Sequence, residues 1–313
     1  MKGTLIMTVE EAQDRKAWEA LRNKGIGGSD AAVIVGANPW KSVYTLWAEK
    51  TGKVEAEDLS NNEYVYWGNA LEELVAKRFC EETGKKVRRC GTLADEDEPY
   101  MMANVDRLII GENAGLECKT TSGFKSKEWE GDEVPVHYIL QCQWYMMVTG
   151  AEKWYIACLI GGNHFVYKEI PRNESDIEAL REAAVNFWVN HVTYNVPPEL
   201  DGSDSTSETI TKQYGQGQYN AMVLPSTAES WIERLDQISV TEKLIKEQKA
   251  EAQNALKAML GDYERGAFND RIVSWTNVKG RESIDTARLK KEMPAIYEQY
   301  KKVGEPTRSF KVR

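Results

Sequence analysis

Residues 104–121 read NVDRLIIGENAGLECKTT, and this stretch decides the fold. Two extended stretches, 101–110 and 116–120, flank the glycine-bounded segment 111–115, which predicts a β-hairpin. Side chains two apart on a strand project to one face, so we expect Glu117 and Lys119 to point together. Ten residues separate Asp106 from Glu117, and the hairpin brings Asp106 onto the neighbouring strand. The sequence therefore predicts two carboxylates and one ammonium group at a sheet edge.

These residue types suit the hydrolysis of a phosphodiester. Hard oxygen ligands hold Mg²⁺, which keeps most of its shell as water and phosphate oxygen. The metal lowers the pKa of a bound water and neutralises charge on the phosphate, while a nearby lysine orients or deprotonates that water. Ionised carboxylates do not crowd together without a cation, which favours a metal site. The alternative is a surface ion pair on a strand, because so short a pattern often arises by chance.

A helix is predicted before the hairpin, over residues 69–82. Its apolar residues recur at i, i+3, i+4 and i+8 from Leu71, and Gly84 lies past its end. Glu72 falls at the border of this apolar stripe, whereas Glu73 is better placed for solvent. A carboxylate at such a border needs a partner, and a metal ion is one candidate. Glu72 is therefore the candidate third acid.

A second helix is predicted after the hairpin, over residues 136–149. Tyr138, Gln141 and Tyr145 lie at i, i+3 and i+7 and so form one stripe. A glutamine beside a metal site positions a water or a phosphate, which makes Gln141 a candidate. The alternative is an ordinary helix with an apolar back and a polar front.

The glycine-rich turn at 25–28 is followed by Ser29, Asp30 and an apolar run. Ser29 or Asp30 is predicted to be the N-cap of a helix. Glycine amides, a hydroxyl group and a helix N-terminus together favour an anion, and Arg22 offers a bidentate contact to it. Ordinary capping after a flexible turn explains the same residues equally well.

The pattern along residues 1–196 predicts an α/β layered domain, because helices and strands alternate. Helices are predicted at 8–24, 42–51, 69–82, 136–149 and 174–192, and strands at 86–94, 101–110, 116–120, 153–160 and 164–170. Residues 197–225 are polar and lack apolar periodicity, which predicts a linker.

The remainder of the chain, residues 226–313, is predicted to be a long helix followed by a small basic α/β extension. The helix, over 226–262, has one apolar row with a spacing of seven residues. The row consists of Trp231, Ile238, Ile245, Ala252 and Met259. From residue 271 to 313 the chain has 11 Lys or Arg against 5 Asp or Glu, a local net charge of +6.

Composition narrows the class of protein. The 313 residues carry a net charge of −9, which argues against a nucleic-acid partner. It does not exclude one, because the charge is unevenly distributed along the chain. The 5 cysteines lie singly, which favours reduced thiols over disulfides, zinc or an iron–sulfur cluster. With only 3 histidines, acid–base chemistry falls to Asp, Glu and Lys. The chain shows no signal-peptide or membrane-spanning pattern, so a cytoplasmic protein is expected.

Four motifs in order resemble the YqaJ-type viral recombinase family, relatives of the phage lambda exonuclease in the PD-(D/E)xK nuclease superfamily. They are AWEALRNKGIGGSDAAVIVG (17–36), WGNALEELVAKRF (67–79), NVDRLI with GLECKTT (104–109 and 115–121), and YILQCQWYMMVTG (138–150). The resemblance extends over about residues 15–192. It implies a restriction-endonuclease-like core, a central mixed sheet flanked by helices, with the C-terminal helical and basic part as an extension.

The resemblance also implies roles for individual residues. Asp106, Glu117 and Glu72 match metal-binding acids, Lys119 matches the catalytic lysine, and Gln141 matches the helix glutamine. Arg22 and Ser29 match the pair that grips the 5′-phosphate of a DNA end, and Trp18 matches an aromatic residue near the incoming strand.

The activity implied is a Mg²⁺-dependent 5′→3′ exonuclease on linear double-stranded DNA, with Mn²⁺ as a substitute ion. Such an enzyme releases 5′-mononucleotides and leaves a 3′ overhang, which a single-strand annealing protein uses for phage-type recombination in the bacterial cytoplasm. The lambda enzyme is a ring-shaped trimer, so a homo-oligomer is expected, although residues 226–313 put the trimer itself in doubt. Two other readings stay open: another PD-(D/E)xK endonuclease, and a non-catalytic protein that binds DNA ends.

Overall fold

The computed structural model describes residues 2–218, 220–304 and 307–312, and the chain divides into two compact units, Met1–Gly215 and Gln216–Arg313. The helices of the first unit are α1 (Arg15–Arg22), α2 (Gly28–Ile34), α3 (Val43–Lys50), α4 (Glu63–Thr83), α5 (Val136–Thr149), α6 (Glu174–Val185) and α7 (Asp204–Gln213). Its strands are β1 (Thr4–Met7), β2 (Val87–Arg88), β3 (Thr92–Ala94), β4 (Met102–Asn104), β5 (Arg107–Ile109), β6 (Ala114–Thr121), β7 (Lys153–Ile160) and β8 (His164–Pro171). Short 3₁₀ turns cover Glu11–Gln13 and Gly123–Trp129, and a π-helical segment, Asn186–Thr193, continues α6.

A mixed sheet of five strands forms the centre of the first unit, in the order β2-β5-β6-β7-β8. β6 and β7 run parallel along their whole lengths, and α5 supplies the crossover that a parallel pair needs. β5 pairs with β6 only at Arg107↔Leu116 and Leu108↔Gly115. Beyond Leu116, the side of β6 that faces β5 therefore has no strand partner among the described residues. This arrangement confirms the predicted central mixed sheet flanked by helices.

Side chains of β7 alternate between the two faces of this sheet, as a strand buried on both sides requires. Trp154, Ile156 and Cys158 join the core that includes α5. Tyr155 and Ala157 join the core that includes α4. The sheet thus separates two helical layers, and alternate residues along a strand contact opposite layers.

The two helices that border the hairpin form where they are predicted. α5 has the predicted bounds, 136–149, and it ends at Gly150, whose φ of 65° suits a left-handed C-cap. α4 begins six residues before the predicted start at 69, because the Asn62 side chain accepts hydrogen bonds from two N–H groups of the first turn.

A smaller sheet, in the order β1-β3-β4, corrects part of the strand prediction. The sequence predicts continuous strands over 86–94 and 101–110, and both predictions are wrong. Each stretch breaks into two strands, one in each sheet. A Cβ at Gly91 would lie 2.0 Å from the carbonyl oxygen of Met7, so the chain turns against β1 at this glycine. Pairing with the distant β1 draws β3 out of the central sheet.

Helix α7 lies inside the segment 197–225, where the linker prediction is wrong. Thr206 and Thr209 on this helix are buried, and Thr206 Oγ1 donates to Ser42 Oγ at 2.8 Å at the start of α3. Hydroxyl groups rather than apolar side chains make this contact, so hydropathy gives no signal for it. The boundary between the two units consequently falls after α7, not at residue 196.

The second unit contains the predicted long helix, α8 (Ala228–Leu260), which agrees with the expected range 226–262 within two residues at each end. An antiparallel pair follows, β9 (Arg265–Phe268) and β10 (Arg271–Ser274), and then α9 (Thr286–Glu292) and α10 (Pro294–Tyr300). No helix within the described residues is both long and apolar enough to cross a membrane.

Candidate active site

Asp106, Glu117 and Lys119 meet where the pairing of β5 with β6 stops. Glu117 and Lys119 lie beyond Leu116, on the face of β6 that α5 covers. Asp106 immediately precedes β5, and its Oδ2 accepts a hydrogen bond from the Cys118 N–H at 2.8 Å. The carboxylate therefore takes the place of a strand partner at this edge and holds its charge beside β6.

Lys119 is a charged neighbour of both carboxylates. Its Nζ lies 2.5 Å from Glu117 Oε1 and 4.7 Å from the centroid of the Tyr138 ring. Burial by itself lowers the pKa of Lys119, but Glu117 and Asp106 outweigh burial and raise that pKa above its usual value. The side chain is an ammonium group at neutral pH, suited to stabilise negative charge on a bound anion.

At Asp106, unlike at Lys119, burial and the neighbouring carboxylates shift the pKa in the same direction. Burial raises the pKa of its carboxyl group well above the usual value, and the neighbouring charges of Glu117 and Glu72 raise it further. Lys119 and the hydrogen bond from Cys118 oppose this effect without cancelling it. A divalent cation beside Asp106 would favour its ionised form and so oppose the effect of both causes on the pKa.

Glu117 combines burial with an unsatisfied oxygen. Its residue is 3% exposed, and Oε1 accepts hydrogen bonds from Lys119 and from Gln141 Nε2, the latter at 2.8 Å. Oε2 is buried and accepts no hydrogen bond from any described residue. A buried carboxylate oxygen without a partner is costly, so this atom has the character of a ligand position.

Gln141 is fixed by α5 in the position that the predicted stripe gives it. Its Nε2 donates to the hydroxyl group of Tyr145 at 2.7 Å as well as to Glu117. Burial raises the pKa of Tyr145 well above its usual value, and Glu117 and Asp106 add to the shift. The phenol therefore stays neutral, and it holds the glutamine against the carboxylate.

Glu72 lies on α4 close enough to raise the pKa of Asp106, but an arginine holds it. Arg107 Nη1 lies 2.5 Å from Glu72 Oε1 and 2.6 Å from the carbonyl oxygen of Asp106, while Nη2 lies 2.8 Å from Glu73 Oε2. Sequence reasoning missed Arg107, whose side chain is 4% exposed. A signal was present, since this arginine directly follows Asp106 in an otherwise apolar run.

A divalent metal ion fits the donor set only in part. No group of three His, Cys, Asp or Glu side chains within the described residues has an arrangement that could hold an ion. Mg²⁺ needs only one or two carboxylates, because water and phosphate complete its shell. Asp106, with its raised pKa, and the free Oε2 of Glu117 meet that need. Glu72 would become a ligand only after leaving Arg107, and its assignment stays a prediction.

Arg22 and Ser29, the predicted phosphate-binding pair, are in direct contact. Arg22 Nη2 lies 2.7 Å from Ser29 Oγ and 3.8 Å from Asp30 Oδ1. The prediction that Ser29 or Asp30 is the N-cap of α2 is wrong. The N-cap is Gly27, whose N–H donates to Asp30 Oδ2 at 3.1 Å. Lys50, the last residue of α3, binds the same carboxylate, with its Nζ 3.2 Å from Asp30 Oδ2. The sequence did not predict this contact.

This cluster presents cationic groups around one buried acid. Burial by itself raises the pKa of Asp30, but Lys50 and Arg22 outweigh burial and lower it. The Arg22 guanidinium also lies 5.2 Å from the centroid of the Trp18 ring, which places the predicted aromatic residue beside the predicted anion contact. Two cations against one carboxylate leave the cluster able to attract an anion.

Two solved structures are similar to part of this chain. An alkaline exonuclease (LHK-Exo) from Laribacter hongkongensis has 16% identity and a TM-score of 0.49, covering 58% of this chain and 94% of that one. A phage related exonuclease from Haemophilus somnus 129PT has 13% identity and a TM-score of 0.41, covering 55% of this chain and 96% of that one.

The sequence similarities differ in how much of the chain they cover, and one extends over almost all of it. The model of the YqaJ-like viral recombinase domain matches residues 17–152, which include the candidate site. Protein D345L of African swine fever virus (strain Badajoz 1971 Vero-adapted) is 35% identical over 123 residues, which are 38% of this chain and 32% of the viral protein. The uncharacterized protein YqaJ of Bacillus subtilis (strain 168) is 40% identical over 303 residues, which are 95% of this chain and 94% of that protein. Because this last similarity extends over almost the full length of both proteins, the chain belongs to the family of the YqaJ-like viral recombinase domain.

Proposed function

We propose that this chain is a metal-dependent 5′→3′ exodeoxyribonuclease that degrades one strand of linear duplex DNA. It releases 5′-mononucleotides and leaves 3′ overhangs. The observation that carries the proposal is the buried Glu117 carboxylate, with Oε1 held by Lys119 and Gln141 and Oε2 without a hydrogen bond among the described residues. A purely structural ion pair on a strand has no reason to leave a buried oxygen unsatisfied.

Asp106 and Glu117 would hold the metal ion, Mg²⁺ or its substitute Mn²⁺, with Glu72 as the third acid if Arg107 releases it. When bound, the ion supplies a water of lowered pKa and neutralises charge on the phosphate. A bound cation would favour the ionised carboxylate of Asp106, because its charge offsets the electrostatic cost of ionisation there. Gln141 keeps Glu117 aimed at the reacting group.

Lys119 acts on the phosphate rather than as a base. Its pKa is raised, so it remains an ammonium group and donates hydrogen bonds to an oxygen on which charge develops. Its contact with Tyr138 limits the positions that the ammonium group can adopt. In this arrangement the residue contributes charge stabilisation that requires no proton transfer from Lys119.

Selection of the 5′ end is assigned to the cluster around Ser29. A terminal phosphate would accept hydrogen bonds from Ser29 Oγ and the Arg22 guanidinium, which already lie 2.7 Å apart. Trp18 offers an indole face beside Arg22 for a base of the incoming strand. The family description as a viral recombinase supports transfer of the 3′ overhang to a single-strand annealing protein.

The decisive experiment compares linear and closed circular DNA in Mg²⁺ and in EDTA, with the linear duplex 5′-phosphorylated on one strand. We expect Mg²⁺-dependent loss of the phosphorylated strand, intact circles, and no reaction with Glu117→Gln protein. Cleavage of the circles would instead indicate an endonuclease. Retained binding to DNA ends without cleavage of either substrate would indicate an end-binding protein.

A further inference from the structure

Helix α8 exposes an apolar stripe along most of its 33 residues, and Leu260 is its one buried residue. Two rows, spaced alternately by four and three positions, make up the stripe. One row is Trp231, Ile238, Ile245, Ala252 and Met259, and the other is Leu235, Glu242, Lys249 and Leu256. Trp231 is 61% exposed, Ile245 56% and Met259 80%. This spacing, sustained over about four heptads, is that of a helix in a coiled coil.

The stripe is nearly symmetric about Ile245. Trp231 and Met259 are each 14 residues from Ile245, Ile238 and Ala252 are each 7 residues from it, and Leu235 and Leu256 are 10 and 11 residues from it. A second copy of the helix running in the opposite direction would therefore meet apolar residues with apolar residues. At the ends it would set an indole against a thioether, and nearer the centre an isoleucine against an alanine.

Two charged residues within the stripe decide between the directions. Glu242 and Lys249 lie 3 and 4 residues from Ile245, on opposite sides of it. In a parallel pair, each would face its own counterpart, which sets like charges against each other in an apolar seam. In an antiparallel pair centred on Ile245, Glu242 of each copy lies within one residue of the level of Lys249 of the other. The charges are complementary only in the second arrangement.

We propose that two copies of this chain associate through α8 as an antiparallel helix pair centred on Ile245. The occupant of the exposed stripe is thus a second copy of the chain. A helix of this length spans about 50 Å, enough for a stable seam. The inference is independent of the proposed nuclease activity, because it uses no residue of the candidate active site.

Charge reversal in the full chain tests the proposal. Sedimentation equilibrium should show a concentration-dependent dimer. Glu242→Lys and Lys249→Glu should each weaken it by roughly tenfold or more, since each sets like charges together at two places. The double variant should regain wild-type association. Glu247→Lys, on the opposite side of α8, is the matched control and should leave the dimer unchanged.

Disulfide trapping tests the direction independently. Trp231→Cys chains mixed with Met259→Cys chains under a mild oxidant should form the mixed 231–259 disulfide, identified by mass spectrometry, with wild-type chains as the background. Disulfides of position 231 to itself would indicate a parallel pair and overturn the proposal. A monomer at every concentration, or an oligomer that both single reversals leave unchanged, would overturn it as well. Circular dichroism checks that each variant keeps its helix content.

Discussion

Gly28 lies against the ring of Tyr145, so closely that a Cβ at residue 28 would come within 2.4 Å of Tyr145 Cε1. The hydroxyl group of the same tyrosine accepts a hydrogen bond from Gln141, which in turn donates to Glu117. The contact between α2 and α5 therefore links the helix that carries Ser29 to the buried carboxylate of the candidate active site. The distance between the cluster around Ser29 and the acids of the candidate active site depends on the absence of a side chain at residue 28.

Gly28→Ala should displace Tyr145 and with it Gln141. We expect a loss of about 1–3 kcal/mol in the free energy of unfolding, as for an overpacked core. The cleavage rate should fall roughly tenfold or more through misplacement of Glu117. Urea unfolding and single-turnover cleavage measure the two effects. Gly202→Ala is the control, because no atom lies within 4 Å of a Cβ there; wild-type values for both variants would contradict the packing argument.

Glu117→Gln keeps the shape of the side chain and removes its charge. Cleavage should fall at least about a hundredfold, because the charge proposed to hold the metal ion is lost, while affinity for DNA ends is retained. Calorimetric titration with Mn²⁺ should show weaker binding of the ion. Glu112→Gln on the same hairpin, a partner of Lys85 and Lys153, should behave as wild type. Unchanged ion affinity in Glu117→Gln would remove this residue from the metal site.

The contacts that sequence reasoning predicts are those set by local periodicity. The strand period of two places Glu117 and Lys119 on one face, and the helical period places Gln141 towards them. Arg107 was missed because its partner Glu72 is 35 positions away on another element, a relationship that no local pattern encodes. Helix α7 is not predicted because its two buried residues, Thr206 and Thr209, carry hydroxyl groups, whose contacts hydropathy does not register.

Arg107→Met should show that a buried guanidinium holds Glu72 in place. The substitution leaves a carboxylate without its partner, so we expect a loss of about 3 kcal/mol in the free energy of unfolding. Adding Glu72→Gln should recover part of this loss, since the remaining charge is then removed. Urea unfolding of the single and double variants gives the coupling. Arg89 is an exposed partner of Glu73, so Arg89→Met should lower the free energy of unfolding by less than about 1 kcal/mol. Equal losses at both arginines would refute the role of Arg107 in holding Glu72.

Arg22→Ala and Ser29→Ala should each reduce the preference for a 5′-phosphorylated DNA end. Each removes a donor that would bind a terminal phosphate, so the advantage of 5′-phosphorylated over 5′-hydroxyl duplexes should shrink by roughly tenfold. Initial rates on the two substrates measure this ratio. Arg15→Ala, on the same helix and paired with Glu19 at the surface, is the matched control. Equal rate losses on both substrates would show that these residues do not recognise the phosphate.

Asp95 should make the stability of the first unit depend on pH. Burial by itself raises the pKa of Asp95, but Arg181, whose Nη2 lies 2.9 Å from Oδ2, and the N–H of Glu98 outweigh burial and lower it. The folded state thus binds the proton more weakly than the unfolded state, whose pKa is about 3.9. The stabilisation is complete above that value and is lost as pH falls through the lower folded pKa. Asp95→Asn should therefore cost about 1 kcal/mol near pH 7, discounted for the partly exposed arginine, and less near pH 3, which lies below the unfolded pKa. Urea unfolding of the variant and the wild type at both pH values measures the difference, and an equal loss at both would show that the ion pair contributes nothing.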